Sequence, residues 1–420
     1  MTAFSAADIL LPKGCDMEKW AVVACDQYTS EPEYWAETER IVGDAPSALN
    51  LILPEVYLED KDVAERIDRI HKSMQESLSG DLFAEYKNSF VYIERVQSDG
   101  LVRAGIVGKI DLEQYDYRKG SKSQVRATEA TVVERIPPRI RIRNGAPVEL
   151  PHIMILIDDG DKTVVEPLSE KKQGFMKLYD FELMQGGGSI RGWLVDEESA
   201  KGIASALEAL GDIDAFNAKY SLSEDKPLVY AMGDGNHSLA TAKEFYEQLK
   251  AANPGKDLSN HPARYALAEI VNLHSPALRF EAIHRIVTGT DVTKLLTYLG
   301  EKLTLTAEPS EQRITIVDGE KKRDVYVHSP LSKLAVGSLQ AALDELLPGI
   351  GGKVDYIHGA EVVEKLAAAE DAVGFLLPDM GKEELFPTVI VDGALPRKTF
   401  SMGHAADKRY YVEARRIEEV

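Results

Sequence analysis

At 420 residues with 44% hydrophobic side chains, the chain can bury a substantial core, and its length suggests two or three compact units. Its 69 acidic and 49 basic side chains leave a formal net charge of −20, which argues against a broad nucleic-acid surface, because duplex binding neutralises phosphates with many Lys and Arg. Apolar runs such as His152 to Ile157 and Val373 to Leu377 fall far short of the roughly 20 residues that span a bilayer, so no membrane helix is expected.

Asp8 precedes any basic residue and the first apolar run, Ile9-Leu10-Leu11, is brief, so no signal peptide is expected. Two cysteines, Cys15 and Cys25, point to a reducing cytoplasm. Ten residues apart, they fit no close metal-ligand pair, and Cys25 reads as a small buried hydrophobe ending the run Ala21-Val22-Val23-Ala24. An amphipathic helix then carries Val63, Ile67, Ile70, Met74 and Leu78 on one stripe. Phe90 to Val96 and Leu101 to Ile110 flank Ser98-Asp99-Gly100, which predicts a hairpin.

In Arg126-Ala127-Thr128-Glu129, Glu129 is a candidate general base for a substrate hydroxyl, and Arg126, Thr128 and Arg135 are candidate substrate contacts; the alternative is an exposed turn of mixed charge. Arg139, Arg141 and Arg143 alternate with Ile140 and Ile142, which reads either as the solvent face of a strand or as a local cationic pocket for a small anion. The strand-like His152 to Ile157 runs into Asp158-Asp159-Gly160-Asp161, read as a solvated loop rather than a metal site. From Thr163 to Gly188 the pattern is irregular, and Gly186-Gly187-Gly188 marks a close backbone approach to a ligand or a flexible connection. A helix from about Asp196 to Leu210 stops at Gly211.

The most informative stretch follows. Leu228 to Met232 is an apolar run that ends at Gly233-Asp234-Gly235-Asn236-His237-Ser238, and the next segment is apolar at Leu239, Ala242, Phe245 and Leu249, a helical spacing. It reads as strand, polar turn, helix. A glycine-containing loop that opens a helix presents free backbone N–H groups, and with the helix dipole these favour an anion such as phosphate. Asp234 beside such a site could hold a divalent cation, Mg²⁺ first, or take a proton, and His237 could donate to a phosphoryl oxygen. Asp-Gly and Gly-Asn are also ordinary turn dipeptides, and Ser or Asn ahead of an apolar periodic run is an ordinary helix start.

Beyond this, Tyr265 to Asn272 is strand-like, and His284-Arg285 lies among apolar residues, so that one of the two could face a site. Past Thr288 a smaller α/β unit is predicted, with a helix around Leu295, Leu296 and Leu299, a hairpin through Val317-Asp318-Gly319, and helices around Leu343 and Leu366. His358 and His404 lack the spacing partners of a metal site. The last stretch is basic at Arg397, Lys398, Lys408, Arg409, Arg415 and Arg416, and is expected to return to the main domain. The resulting division is 1–150, an N-terminal α/β region; 151–290, the phosphate-loop region; 291–395, the smaller unit; and 396–420, the returning strands.

The segment Gly233 to Ser238 resembles the Asp-Gly-His/Asn-His loop of the DUF1015 family, and that loop is similar to the Asp-Gly-His-x-Arg phosphate loop of the ParB and sulfiredoxin superfamily. The same resemblance covers Ala24-Cys25-Asp26-Gln27-Tyr28-Thr29-Ser30 with Glu31 to Trp35, Arg126 to Thr131, Gly186 to Gly192, Val271 to His274, Ile283-His284-Arg285, Ile357-His358-Gly359 and Leu395 to His404. It implies a mixed α+β fold, with a ParB/sulfiredoxin-like core of mixed sheet and flanking helices. Its loop implies a phosphate site made by Gly233, Gly235, Asn236 and Ser238, with Asp234 and His237 as catalytic residues. Ser238 stands where the superfamily carries arginine, so a cation must come from elsewhere, and Arg397 and Lys398 are the candidates. Sulfiredoxin chemistry is not expected, because no cysteine lies within the loop.

The free serine kinases share the loop, which implies a small-molecule phosphotransferase with L-serine as possible acceptor and ATP, ADP or pyrophosphate as donor. No Walker lysine loop and no adenine-stacking motif stand out, which leaves pyrophosphate open. The alternatives are a nucleotide- or metabolite-sensing module without turnover and a ParB-like DNA-associated protein or nuclease, the latter disfavoured by the acidic balance. The partner expected is a small molecule, with neither nucleic acid nor membrane; the sequence leaves the oligomeric state open.

Overall fold

Strands whose successive side chains enter two different cores organise the first part of this protein. The computed structural model describes residues 2–319 and 321–418. The chain divides into two compact units, Met1–Leu278 with His404–Val420, and Arg279–Gly403. The main sheet of the first unit has ten strands among the described residues: β1 (Phe4–Ser5), β2 (Val91–Val96), β3 (Val102–Asp111), β4 (Tyr115–Asp116), β5 (Val125–Arg126), β6 (Met154–Ile157), β7 (Met176–Glu182), β8 (Ser189–Leu194), β9 (Tyr230–Asp234) and β10 (Tyr265–Asn272). Their order is β7-β8-β2-β3-β10-β6-β9-β5-β4, with β1 beside β3. The sheet is mixed: β6 runs parallel to β10 and antiparallel to β9, while β9 runs parallel to β5.

Along β2, Val91 and Ile93 join a core with Trp20, Trp35 and Tyr411, whereas Tyr92 joins a second core with Ile155, Met232 and Leu239. A strand buried on both faces reads as an unbroken apolar run, which is why Met154-Ile155-Leu156-Ile157 shows no alternation. The predicted hairpin forms as β2 and β3, paired from Val91↔Val107 to Val96↔Val102. Helix α1 (Val63–Ser79) buries Ile67, Ile70 and Met74, the expected stripe. The helix expected to stop at Gly211 forms as Glu197–Leu210, opened by the Asp196 carboxylate, which accepts from the Ser199 N–H at 2.7 Å.

Three readings need correction. Residues Ile136–Arg143 form a helix, α2, not a strand. Pro137 and Pro138 sit in its first turn, where the missing N–H costs nothing and φ is preset for a helix. Arg139 and Arg143 are not a cationic pocket either, since they pair with Glu55 and Glu149. The acidic turn is solvated only in its second half, at Gly160 and Asp161: Asp158 meets His274 at 2.6 Å and Lys219 at 2.9 Å, and buried Asp159 accepts from the amides of Thr163 and Val164. The glycine triplet approaches protein rather than ligand, for a Cβ on Gly187 would lie 2.5 Å from the Tyr410 hydroxyl and one on Gly188 would strike the Val96 carbonyl.

The C-terminal segment returns to the first unit and is held there by buried charge. Arg95 donates to the Ala406 carbonyl at 2.8 Å and Arg103 to the Asp407 carbonyl at 2.9 Å. Arg409 pairs with Glu269 at 3.0 Å and with Glu413 at 2.7 Å, all three side chains being buried. Tyr410–Tyr411 adds a short strand to Val22–Val23, and Arg415 pairs with Glu149 at 2.9 Å. The smaller unit has a six-stranded sheet among the described residues, in the order Leu305–Thr306, Lys321–Val327, Gln312–Asp318, Ala372–Leu376, His284–Thr288, Lys353–Ile357. The predicted helices there form as Val292–Lys302, Ala335–Ile350 and Ala360–Leu366, and the predicted hairpin joins Gln312–Asp318 to Lys321–Val327.

Candidate functional site

Strand β9 ends at Asp234, and helix α3 (Asn236–Ala252) begins two residues later, so the polar turn contracts to Gly235 alone. Gly235 has φ +79°, a left-handed conformation, and a Cβ there would stand 3.1 Å from the Ile153 Cα. Both facts demand glycine. Gly235→Ala should therefore lower stability by about 1–2 kcal/mol, read as the urea midpoint, and an unchanged midpoint would contradict this conformation. Leu239, Ala242 and Tyr246 anchor the helix in the second core, which leaves its first turn at the sheet edge.

The segment after β5 runs alongside this turn. Ala231 pairs with Arg126, the Thr128 hydroxyl donates to the Met232 carbonyl at 2.7 Å, and the Val132 N–H donates to His237 Nε2 at 3.4 Å. Thr128, Glu129 and His237 thus border one patch, with Glu129 half-buried between the two contacts. Arg126 is buried, and its Nε turns back to the Ser123 carbonyl at 2.9 Å. Arg135 is exposed, at the start of helix α2.

The returning C-terminus brings a cation to this turn. Lys408 Nζ lies 3.5 Å from Asp234 Oδ2, with both side chains largely buried. Lys408 sits between Asp407 and Arg409, whose buried contacts hold this stretch of backbone in place. Asp234 Oδ2 and Asn236 Oδ1 are buried and, among the described residues, receive no hydrogen bond, although the Lys408 ammonium faces the former.

Behind the turn stands His152, which sequence reasoning had placed only at the head of a strand. Its Nε2 lies 3.3 Å from Asp26 Oδ2 and 3.2 Å from Ser238 Oγ, and its Nδ1 lies 2.7 Å from the Tyr411 hydroxyl. Burial works against a charged imidazole, but Asp26, Asp234 and Glu55 outweigh it and raise its pKa above the ordinary histidine value. Burial likewise opposes ionisation of Asp26, yet His152, Gln27 and Lys408 hold its carboxyl well below the usual range. Burial, with Asp26 and Glu55 nearby, pushes the Cys25 thiol up, so Cys25 is no thiolate nucleophile.

Asp234 as a resident metal ligand does not fit these residues. No group of three His, Cys, Asp or Glu side chains converges to hold an ion among the described residues, and an ammonium already faces the carboxylate.

Residues 10–346 match the profile of the family described as "Protein of unknown function (DUF1015)". The chain belongs to this family. No curated protein matches it. Among solved structures, a conserved hypothetical protein from Pyrococcus furiosus covers 71% of this DUF1015 chain and 90% of its own, at 13% identity and a TM-score of 0.35. A free serine kinase in complex with AMP covers 74% and 91%, at 11% identity and a TM-score of 0.38. SbnI with C-terminal truncation from Staphylococcus aureus covers 71% and 82%, at 10% identity and a TM-score of 0.36. Likenesses this loose bear on neither chemistry nor substrate.

The remaining sequence candidates of this DUF1015 chain lie in the smaller unit. Arg285 is buried and donates to the Gln340 side chain and to the carbonyls of Ile283, Arg397 and Lys398, so it braces that backbone. His284 Nδ1 accepts from the Leu377 N–H at 3.1 Å, and burial lowers its pKa. Arg397 pairs with Asp344 at 3.0 Å, and Lys398 takes a left-handed φ of 54°. Asp26, His152 and Lys408 escaped notice because no local pattern links positions so far apart, although Asp26 lay in a family-like stretch and Lys408 in the C-terminal basic group. No helix among the described residues is long and apolar enough to cross a membrane.

Proposed function

We propose that this protein transfers a phosphoryl group from a phosphate donor to the hydroxyl of a small metabolite. The observation that carries this reading is the Lys408 ammonium set 3.5 Å from Asp234 at the mouth of a glycine-opened helix. Phosphoryl transfer is mostly positioning and charge neutralisation, and the turn offers both, through helix amides and a fixed cation. Gly233, Gly235, Asn236 and Ser238 frame the phosphate, while Asp234 and His237 flank it. Glu129 takes the proton of the acceptor hydroxyl as the new O–P bond forms and the bridging O–P bond of the donor breaks.

The loop's resemblance to that of free serine kinases supports L-serine as the first acceptor to test, with ATP, ADP or pyrophosphate as donor. Mg²⁺ would enter bound to donor phosphates rather than reside in the protein. Arg126, at the end of strand β5, and Arg135, in the segment after it, remain candidate contacts for the rest of either substrate.

The test is ³¹P NMR of the purified protein with Mg²⁺, serine and each donor in turn. Phosphoserine is the expected product, and Glu129→Gln should reduce its rate by roughly 10²-fold. Binding of a donor with no transfer to serine or to a panel of small alcohols would replace this reading with that of a sensing module. Retardation of DNA at low salt would instead favour the DNA-associated alternative, against a net charge of −20.

A further inference from the structure

Two groups meet at one nitrogen of the His152 ring behind the turn, and a third meets the other nitrogen. His152 Nε2 faces the Asp26 carboxylate at 3.3 Å and the Ser238 hydroxyl at 3.2 Å, while Nδ1 faces the Tyr411 hydroxyl at 2.7 Å. His152 is 3% exposed, so water does not rearrange these bonds.

The direction of each bond follows from what each group can do. An ionised carboxylate only accepts, so the nitrogen facing Asp26 must carry a proton. This holds whether the ring is neutral, with Nδ1 accepting from Tyr411, or charged, with both nitrogens donating. Asp26 is held ionised by His152, Gln27 and Lys408. A nitrogen that carries a proton has no lone pair for Ser238, so the serine oxygen accepts from it or lies idle. The proton of Ser238 therefore does not point inward. Ser238 is in the first turn of helix α3, half-exposed, and among the described residues its side chain has His152 as its hydrogen-bond partner.

We propose that Asp26 and His152 together orient the Ser238 hydroxyl, so that its proton donates to an oxygen of the phosphoryl group bound at the turn. Asp26 and His152 are positioning residues in this arrangement, and Ser238 is the contact. The inference rests on the reading of the turn as a phosphate site. It also gives a use to the residue that stands where related loops carry arginine: a hydroxyl supplies the hydrogen bond, and Lys408 supplies the charge. The other titratable groups acting on the ring are Asp234 and Glu55, with Arg139 neutralising Glu55.

Asp26→Asn provides the decisive test, because it removes the negative charge that keeps the proton on Nε2. The ring proton can then sit on Nδ1 toward the Tyr411 oxygen, and the free Nε2 lone pair accepts the serine proton and draws it inward. Binding of pyrophosphate, inorganic phosphate and ATP to the full chain would be followed by calorimetry. Ser238→Ala and Asp26→Asn should each weaken the anion that binds by about tenfold. The double variant should be no weaker than either alone, which a general structural disturbance would not produce. Histidine-selective ¹⁵N NMR, with His152→Gln to assign the signal, should show a protonated Nε2 in the wild type that is lost in Asp26→Asn.

If Ser238→Ala weakens binding while Asp26→Asn has no effect, or if the two effects simply add, the inference is overturned and the phosphate reading stands. If the wild type binds none of the three anions, the phosphate reading fails and takes the ligand half of the inference with it. The nitrogen spectrum still decides the orientation in that case, and an unprotonated Nε2 in the wild type overturns it outright.

Discussion

Asp234→Asn and Lys408→Met are each expected to lower phosphoryl transfer by about 10²–10³-fold, or roughly 3–4 kcal/mol of transition-state stabilisation. The two groups lie 3.5 Å apart and largely out of water, where a fixed cation acts on developing charge with little solvent screening. Among the described residues, Lys408 is the cation that pairs with Asp234. The effect of Lys408→Met should fall mainly on the apparent donor affinity and on turnover together, because the ammonium meets phosphate in both ground and transition states. The double variant should lose scarcely more than either single one, since each removal leaves the other group without its counter-charge. Steady-state kinetics on the four proteins checks this. A Lys408→Met enzyme within threefold of wild type would remove the C-terminal segment from the site.

The second large effect concerns stability. Glu269→Ala should destabilise the protein by about 3–5 kcal/mol, because it leaves the buried Arg103 guanidinium without a carboxylate and Arg409 with Glu413 alone. Glu269 is fully buried, 3.4 Å from Arg103 and 3.0 Å from Arg409. Gly105 makes room for it, as a Cβ there would lie 2.5 Å from Glu269 Oε1. Since Arg103 and Arg409 also hold the backbone on either side of Lys408, donor binding should weaken in the same variant. Lys201→Ala is the control. Lys201 and Glu197 form an exposed pair on a helix surface, and such a pair contributes no more than about 0.5 kcal/mol. Urea unfolding separates the two, and a Glu269→Ala loss as small as the control would mean that the buried network does not secure the C-terminal return.

Much of the secondary structure was legible in the chain. Tyr265–Asn272 forms the strand its apolar run predicts, and Val63–Ser79 the helix its stripe predicts. These elements are long enough for one period to win over the other. Residues 139–143 were not, because five alternating Arg and Ile positions fit a strand as well as a short helix, and Ile136 is the helix's one buried side chain. The glycine triplet left open a close approach to a ligand or a flexible connection, and the neighbour proved to be protein, since a glycine records that space is short without saying what fills it.

The turn itself was legible for the same local reason. A strand, a glycine in the left-handed region and a helix start all involve residues within a few positions of one another, and their propensities act through the nearby backbone. The sequence also showed that no Lys or Arg lies within Gly233 to Ser238. Which cation meets it was decided by the tertiary structure. Arg397 and Lys408 belong to the same basic stretch, and only the buried pairing of Arg103 and Arg409 with Glu269 and Glu413 brings Lys408 to Asp234. The triad of Asp26, His152 and Tyr411 depends in the same way on a strand pairing between residues 22–23 and 410–411. Charges and hydrogen bonds act over a few ångströms of space, and the distance along the chain does not constrain which residues the packed core will bring that close.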